Sequence, residues 1–118
     1  MVSLKNAEMM YFKDTEYTLE CHADGFPVPV VWWRWKPCQE IFDCDPGSTL
    51  YGWTDVEYNG KTPNQENVTL EYSEVNTFSL VSFLHVTAKE SGHYMCVASS
   101  QMGKDDALSP FIVTGMIA

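Results

Sequence analysis

Apolar and polar residues alternate along five segments of the chain, and each segment lies between residues typical of turns. An apolar side chain at every second position is the pattern of a β-strand with one buried face. No segment of helical length carries apolar residues at the spacing of a helix face, so the pattern predicts an all-β sandwich or barrel. The apolar positions of the five series are Tyr17, Leu19, Cys21 and Ala23; Val31, Trp33 and Trp35; Val81 and Phe83; Tyr94, Cys96 and Ala98; and Phe111 and Val113.

The chain has 118 residues, enough for one hydrophobic core and too few for two. We expect a single domain over residues 1–118, with its core in about 7–114. Asp and Glu number 16 against 7 Lys and Arg, giving a net charge of -9; such a surface repels phosphate backbones and excludes nucleic acid as a partner. No apolar run approaches the ~20 residues of a membrane span, so we expect no membrane insertion. No apolar stretch precedes the first charges, so we expect no signal peptide at this end. Separately, we expect Met1 to begin a piece of a longer chain.

Four cysteines, Cys21, Cys38, Cys44 and Cys96, provide the first specific information. An even number in a small domain is typical of disulfides in an oxidising compartment. Counting alone leaves three pairings open. A structural zinc site is the rival interpretation, but zinc sites usually take close pairs of ligands, and the close pair here, Cys38 and Cys44, has five residues between its members. The spacing therefore favours disulfides over zinc.

Two of these cysteines belong to a larger motif. Trp33 follows Cys21 by twelve residues, and a Tyr-x-Cys sequence late in the chain ends at Cys96. Together with the segment Glu90–Cys96, these residues resemble the Cys, the Trp and the Asp-x-Gly-x-Tyr-x-Cys positions of immunoglobulin-like (Ig-like) domains. Glu90 stands where Asp is usual in such domains.

The resemblance implies an immunoglobulin-like β-sandwich of two antiparallel sheets with Greek-key connections. It also implies that a disulfide between Cys21 and Cys96 joins the sheets. A second, local bond between Cys38 and Cys44 would follow the C strand, which is the third strand of such a domain. The core residues expected from this likeness and from the alternation are Trp33, Tyr94, Leu19 and Phe83.

Three segments carry a closer resemblance. The run from Gly25 to Cys38 is similar to the Gly-x-Pro-x-Pro…Trp-x-Trp-x-Pro-Cys sequence of certain receptor ectodomains. Cys96–Gly103 and Phe111–Thr114 resemble the Cys-x-Ala-x-Asn-x-x-Gly…Phe-x-x-Thr ending of the same domains, with Ser100 in place of the usual Asn. These receptors are the tyrosine kinases of the vascular endothelial, platelet-derived and stem-cell factor receptor group, in which the fifth Ig-like domain carries an extra disulfide. The likeness covers about residues 17–114.

This second resemblance implies an extracellular domain that spaces and orients the ectodomain of a single-pass membrane receptor. Such a domain would take part in receptor–receptor contacts when a ligand drives dimerisation. The expected partners are proteins: neighbouring Ig-like domains of the same receptor, a second receptor copy or a growth-factor ligand. A cell-adhesion module and a soluble ligand-binding decoy are the alternatives, because the same sandwich hosts all of these functions. The tyrosine kinase would lie elsewhere in the parent chain.

The sequence contains no catalytic or cofactor-binding constellation. Alternation directs His22 and His93 away from the core and places His85 beside Phe83 and Val86. None of these histidines has a second metal ligand or a catalytic base at a useful spacing. Nucleophile-elbow, phosphate-loop and zinc-protease motifs are missing as well. We therefore expect no enzyme activity, no cofactor and no metal site.

Alternation also predicts an outward row of side chains on the sheet that contains Trp33. If Trp33 points into the core, its neighbours on the strand point out, as do the neighbours of Cys96 on the adjacent strand. Exposed together, they would form an interface for a neighbouring domain or a second receptor copy. Alternatively, a loop from residues 45–76 covers them. The candidate interface residues are Trp32, Arg34, Met95 and Val97, with Ile112 less firmly placed, and the candidate covering residues are Leu50, Tyr51, Trp53 and Val56.

The triplet Asn67-Val68-Thr69 is an acceptor sequence for N-glycosylation. The preceding residues 62–66 are polar and typical of a turn, so the Asn67 side chain should be reachable. In a chain that passes through a secretory route, we expect an N-glycan on Asn67.

Overall fold

The computed structural model describes residues 2–38, 52–56, 62–72 and 78–115. Within these ranges the chain forms ten β-strands and no helix. The strands are β1 (Val2–Lys5), β2 (Tyr11–Phe12), β3 (Glu16–Asp24), β4 (Val30–Pro37), β5 (Thr54–Asp55), β6 (Asn67–Tyr72), β7 (Ser79–Thr87), β8 (Gly92–Ser100), β9 (Gly103–Phe111) and β10 (Val113–Thr114).

The strands form two antiparallel sheets that pack face to face. The first sheet has the order β1-β3-β7-β6, and the second has the order β5-β4-β8-β9. Strands β2 and β10 add a short parallel pair, which the alternation did not indicate. The prediction of an all-β sandwich of two antiparallel sheets is confirmed.

A disulfide between Cys21 and Cys96 joins the two sheets, as predicted, with a Cα–Cα distance of 6.4 Å. Trp33 lies in register with Cys96 on the neighbouring strand and is almost completely buried. Its indole N–H donates a hydrogen bond of 2.8 Å to the hydroxyl of Ser82, so its polar atom is satisfied inside the core. The second predicted bond, Cys38–Cys44, stays a prediction because Cys44 lies outside the described residues.

Aromatic rings fill the core beyond the disulfide. The Tyr94 ring lies 4.7 Å from the Trp35 ring and 5.1 Å from the Phe111 ring, and Phe111 stacks on Tyr11 at 4.2 Å. Gly92 permits the close packing of this cluster. A Cβ atom at Gly92 would lie 2.4 Å from both a Trp35 ring carbon and the Lys36 carbonyl oxygen, which leaves no room for a side chain.

A buried hydrogen-bond network closes the core where β7 turns towards β8. The Asn64 amide donates to the Tyr94 hydroxyl at 2.9 Å, and its oxygen accepts the backbone N–H groups of Lys89 and Glu90 at 2.8 Å each. The Tyr94 hydroxyl in turn donates to the carboxylate of Glu66, which also accepts from the Thr62 hydroxyl. Burial raises the pKa of Glu66, although the Tyr94 hydroxyl opposes that shift, and burial raises the pKa of Tyr94 as well.

The expectation that Phe83 belongs to the core is wrong. On β7 the buried residues are Leu80, Ser82, Leu84 and Val86, and Phe83 lies half-buried on the outer face. Both sets of alternate positions on this strand carry apolar residues, so alternation alone does not show which set faces the core. The polar Ser82 points inward because it accepts the indole hydrogen bond of Trp33. Leu19, Trp33 and Tyr94, the other three expected core residues, are buried.

The first and last described strands, β1 and β10, begin and end at opposite poles of the sandwich. At the N-terminal pole, Val2 is in register with Ala23, and the Gly25 N–H donates to the Phe78 carbonyl at 2.8 Å. At the C-terminal pole, the Lys13 N–H donates to the carbonyl of Thr114 at 2.9 Å. Strand β3, nine residues long, runs between the poles and spans roughly 30 Å.

The raised pKa of Glu66 predicts a pH-dependent stability difference. The folded protein favours the protonated carboxyl, so this group stabilises the fold most below its ordinary pKa, and the contribution is lost as pH rises through the folded pKa. Glu66→Gln keeps an acceptor for the Tyr94 hydroxyl and removes the buried charge. We expect the variant to gain stability relative to the parent between about pH 4.5 and neutrality, as measured by urea unfolding.

Glu71→Gln is the matched control, since Glu71 is an exposed carboxylate on β6. The free energy of unfolding of Glu66→Gln should rise relative to that of the parent as pH increases. A difference between the two that stays constant with pH, or that falls as pH increases, would contradict a raised pKa for Glu66.

Candidate functional site

The outer face of the sheet that contains β4 and β8 is the surface on which the sequence placed an interface. Strand β8 is buried on both faces from Gly92 to Ala98. Its outward residues Met95 and Val97 are each 2% exposed, because Trp53 packs over them from the segment just before β5. The Trp53 ring is itself buried, and Trp32 packs at the edge of this small second cluster.

Polar contacts hold this covering segment in place. The Arg34 guanidinium lies 3.1 Å from the Asp55 carboxylate and donates to the Trp53 carbonyl at 3.4 Å. The Lys36 ammonium lies 5.8 Å from the centre of the Trp53 ring, within the range of a cation–π contact. Strand β5 is thereby fixed against β4 by charge as well as by its two register pairs.

The exposed interface predicted at Trp32, Arg34, Met95 and Val97 is therefore wrong as a free surface. Met95 and Val97 are covered, Arg34 is half-buried and ion-paired, and Trp32 is half-buried beneath the Lys104 ammonium at 5.6 Å. The structure has the alternative, in which a loop from residues 45–76 covers the row, and among the described residues Trp53 covers Met95 and Val97. Of the other covering candidates, Val56 packs against the main core, and Leu50 and Tyr51 lie outside the described residues. Ile112 is half-buried, and its carbonyl accepts the N–H of Tyr11.

The three histidines lie apart from one another. His93 was expected to face solvent but is buried, in register between Lys36 and Pro110 of the flanking strands. His22 is half-buried and lies 3.1 Å from Glu20. His85 is half-buried on the outer face of the first sheet. Within the described ranges, no group of three or more His, Cys, Asp or Glu side chains could hold a metal ion.

The N-terminal pole exposes apolar side chains that the sequence analysis missed. Phe26 is 67% exposed, Met102 is 82% exposed, and the Phe78 ring packs edge-on against Phe26 with 5.1 Å between ring centres. Val30, 68% exposed, continues this surface onto β4. We call Phe26, Phe78, Met102 and Val30 the N-terminal apolar patch.

A sequence signal for the N-terminal apolar patch did exist. Turns are usually polar, because their residues face water. Here the β3–β4 connection reads Phe26-Pro27-Val28-Pro29, and the β8–β9 turn places Met102 directly before Gly103. Apolar residues at turn positions point to a contact outside the domain more directly than alternation along a strand does.

The acceptor residue Asn67 is exposed at the first position of β6, which is an edge strand of the first sheet. It is in register with His85, so the two side chains share the outer face. This face is more polar than the covered face of the second sheet. It includes Thr18 on β3 and Thr69 on β6.

Two sheets of this order, an inter-sheet disulfide with a tryptophan in register beside it, and a buried tyrosine two residues before the second cysteine define an immunoglobulin-like domain. Within that class, the family described as the VEGFR-1-like, fifth immunoglobulin-like domain matches residues 2–115. The chain belongs to this family.

Vascular endothelial growth factor receptor 1 of Gallus gallus is 28% identical over 116 residues, which cover 89% of this chain and 8% of the receptor. Two solved structures share the fold. The N-terminal eight Ig domains of Down Syndrome Cell Adhesion Molecule match 98% of this chain and 13% of that chain, with a TM-score of 0.61 and 21% identity. The complex of Dpr2 Ig1-Ig2 with DIP-Theta Ig1-Ig3 matches 97% of this chain and 32% of that chain, with a TM-score of 0.62 and 17% identity.

No helix in the described part of the chain is long and apolar enough to cross a membrane. The chain spans less than a tenth of the length of the receptor it matches.

The covering role of Trp53 predicts a specific effect of removing its ring. Trp53→Ala should uncover Met95 and Val97, lower the free energy of unfolding by about 2 kcal/mol, and increase binding of a hydrophobic dye. Val30→Ala is the control, since Val30 lies on the same sheet and is already exposed. Equal unfolding midpoints and equal dye binding for the two variants would show that Trp53 neither shields Met95 and Val97 nor stabilises the fold.

Proposed function

We propose that this chain is an extracellular Ig-like domain of a growth-factor receptor tyrosine kinase, where it spaces and orients the ectodomain. Membership of the VEGFR-1-like family supports the receptor assignment. The observation that carries the spacing role is the placement of β1 and β10 at opposite poles of a domain whose longest dimension is 44 Å. A module of this form adds its whole length to a linear array of domains.

The N-terminal apolar patch supports a contact with the Ig-like domain that precedes this one in the receptor. The patch lies at the pole where β1 begins, so a preceding domain of the same chain would be the nearest surface to it. Phe26 and Met102 are large and flexible enough to fill a neighbouring surface, and aromatic residues and methionine are enriched at the centres of protein interfaces. Burying them would fix the angle between the two domains, which a flexible junction would leave free.

The adhesion alternative has weaker support. The similar structure of Down Syndrome Cell Adhesion Molecule shares the fold at 21% identity, and a fold alone does not carry a function.

The spacing role predicts the result of replacing the domain in the receptor. A flexible Gly/Ser linker in place of residues 2–115 should leave growth-factor binding intact, because ligand binding would fall to other domains. Ligand-driven phosphorylation of the kinase should fall, since a flexible linker fixes no orientation. Growth-factor affinity and receptor phosphorylation are measured on the same cells. Unchanged phosphorylation would overturn the spacing role, and lost affinity would move the function to ligand binding.

The contact at the N-terminal apolar patch predicts an effect that appears only in the receptor ectodomain. Phe26→Ser combined with Met102→Ser should change the thermal midpoint of the isolated domain little, because both side chains are largely exposed. In the ectodomain, small-angle scattering should show a broader distribution of shapes. Met9→Ser, at a residue 93% exposed between β1 and β2, is the matched control. Identical scattering from the patch and control variants would exclude the contact.

A further inference from the structure

A shallow pocket lies beside the glycosylation acceptor on the outer face of the first sheet. Its volume is about 480 Å³, within the range of roughly 300–1,000 Å³ that small-molecule sites occupy. Strands β3 and β7 form its floor, and the start of β6 forms one wall. The polar residues that line it are Glu16, Thr18, Gln65, Asn67, His85 and Thr87.

His85 lies in the middle of this surface with a fixed ring. Its Nδ1 atom lies 3.1 Å from the Thr18 hydroxyl on β3, and its Nε2 atom lies 3.0 Å from the Thr69 hydroxyl on β6. The ring therefore bridges both neighbouring strands. Thr69 is the hydroxyl residue of the acceptor triplet, so the triplet is tied directly to the surface beside it.

A group attached to Asn67 has two directions open to it. Strand β6 is the edge of the sheet, so one direction leads away into water and the other leads across His85 into the pocket. The first sugar of an N-glycan carries hydroxyl groups and one acetamido group around its ring. The carboxylate of Glu16, the hydroxyl of Thr87 and the amide of Gln65 offer hydrogen-bonding groups of the kinds that such a sugar pairs with.

We propose that the pocket beside Asn67 holds the innermost N-acetylglucosamine of an Asn67-linked glycan. The sugar lies over the His85 ring, and its amide and hydroxyl groups bond to the residues at the pocket rim. The glycan then acts as a structural part of the first sheet and covers its outer face. The inference needs only that the chain passes through a secretory route, and receptor signalling plays no part in its test.

The experiment compares glycoforms of the protein secreted from eukaryotic cells. One sample keeps its full glycan, a second is trimmed by an endoglycosidase to a single N-acetylglucosamine, and a third is Asn67→Gln. We expect the single-sugar form to keep the thermal midpoint of the full glycoform, and Asn67→Gln to melt several degrees lower. A single-sugar form that melts with Asn67→Gln would overturn the proposal, as would mass spectra showing Asn67 bare.

Two further variants separate packing in the pocket from a general effect of the glycan. Glu16→Ala combined with Thr87→Ala removes rim groups, while Glu71→Ala removes an exposed carboxylate elsewhere on the same face. The stabilisation by the glycan should shrink in the rim variant and persist in Glu71→Ala. Equal stabilisation in both would mean that the sugar projects into water. Nuclear Overhauser contacts between the acetyl methyl group and the His85 ring protons provide a direct readout, and their absence from an occupied sample would also overturn the proposal.

Discussion

Burial of strand β8 on both faces is the constraint on which the rest of the domain depends. A strand in an antiparallel sandwich commonly has one face in the core and one in water. Here one face packs against the disulfide and the aromatic core, and the other needs a cover, which Trp53 provides. The ion pair of Arg34 with Asp55 and the Lys36 contact with the Trp53 ring make sense as the means of holding that cover. Once it is in place, Met95 and Val97 offer no apolar surface to a partner.

The sequence allowed most of the fold to be predicted, because most strands have one clearly apolar parity. Leu19, Trp33 and Tyr94 are the apolar members of such series, and the spacing from Cys21 to Trp33 to Cys96 is specific enough to identify the sandwich. Strand β7 is the exception. Its two parities are nearly equal in hydrophobicity, and a single hydrogen bond from Trp33 to Ser82 accompanies the parity that the fold adopts.

The functional surfaces were harder to predict, because they depend on contacts between residues distant in sequence. Alternation correctly directed Met95 and Val97 away from the core, but exposure also depends on what lies above them. The cover comes from Trp53, more than forty residues before Met95, and no local pattern shows where that ring will settle. His93 also points away from the core and is nevertheless buried, and its register neighbours are Lys36 on β4 and Pro110 on β9. Turn composition, rather than strand alternation, would have revealed Phe26 and Met102.

The placement of β1 and β10 at opposite poles gives the disulfide a mechanical consequence. In an array of linked domains, a pull along the array would be applied to this domain at β1 and β10, which lie at opposite ends of the sandwich. If the sheets separate under load, the Cys21–Cys96 bond keeps the 75-residue span between its cysteines from extending. Only the residues before Cys21 and after Cys96 can then be drawn out into an extended chain. The bond therefore limits how far a stretched chain can lengthen at this domain.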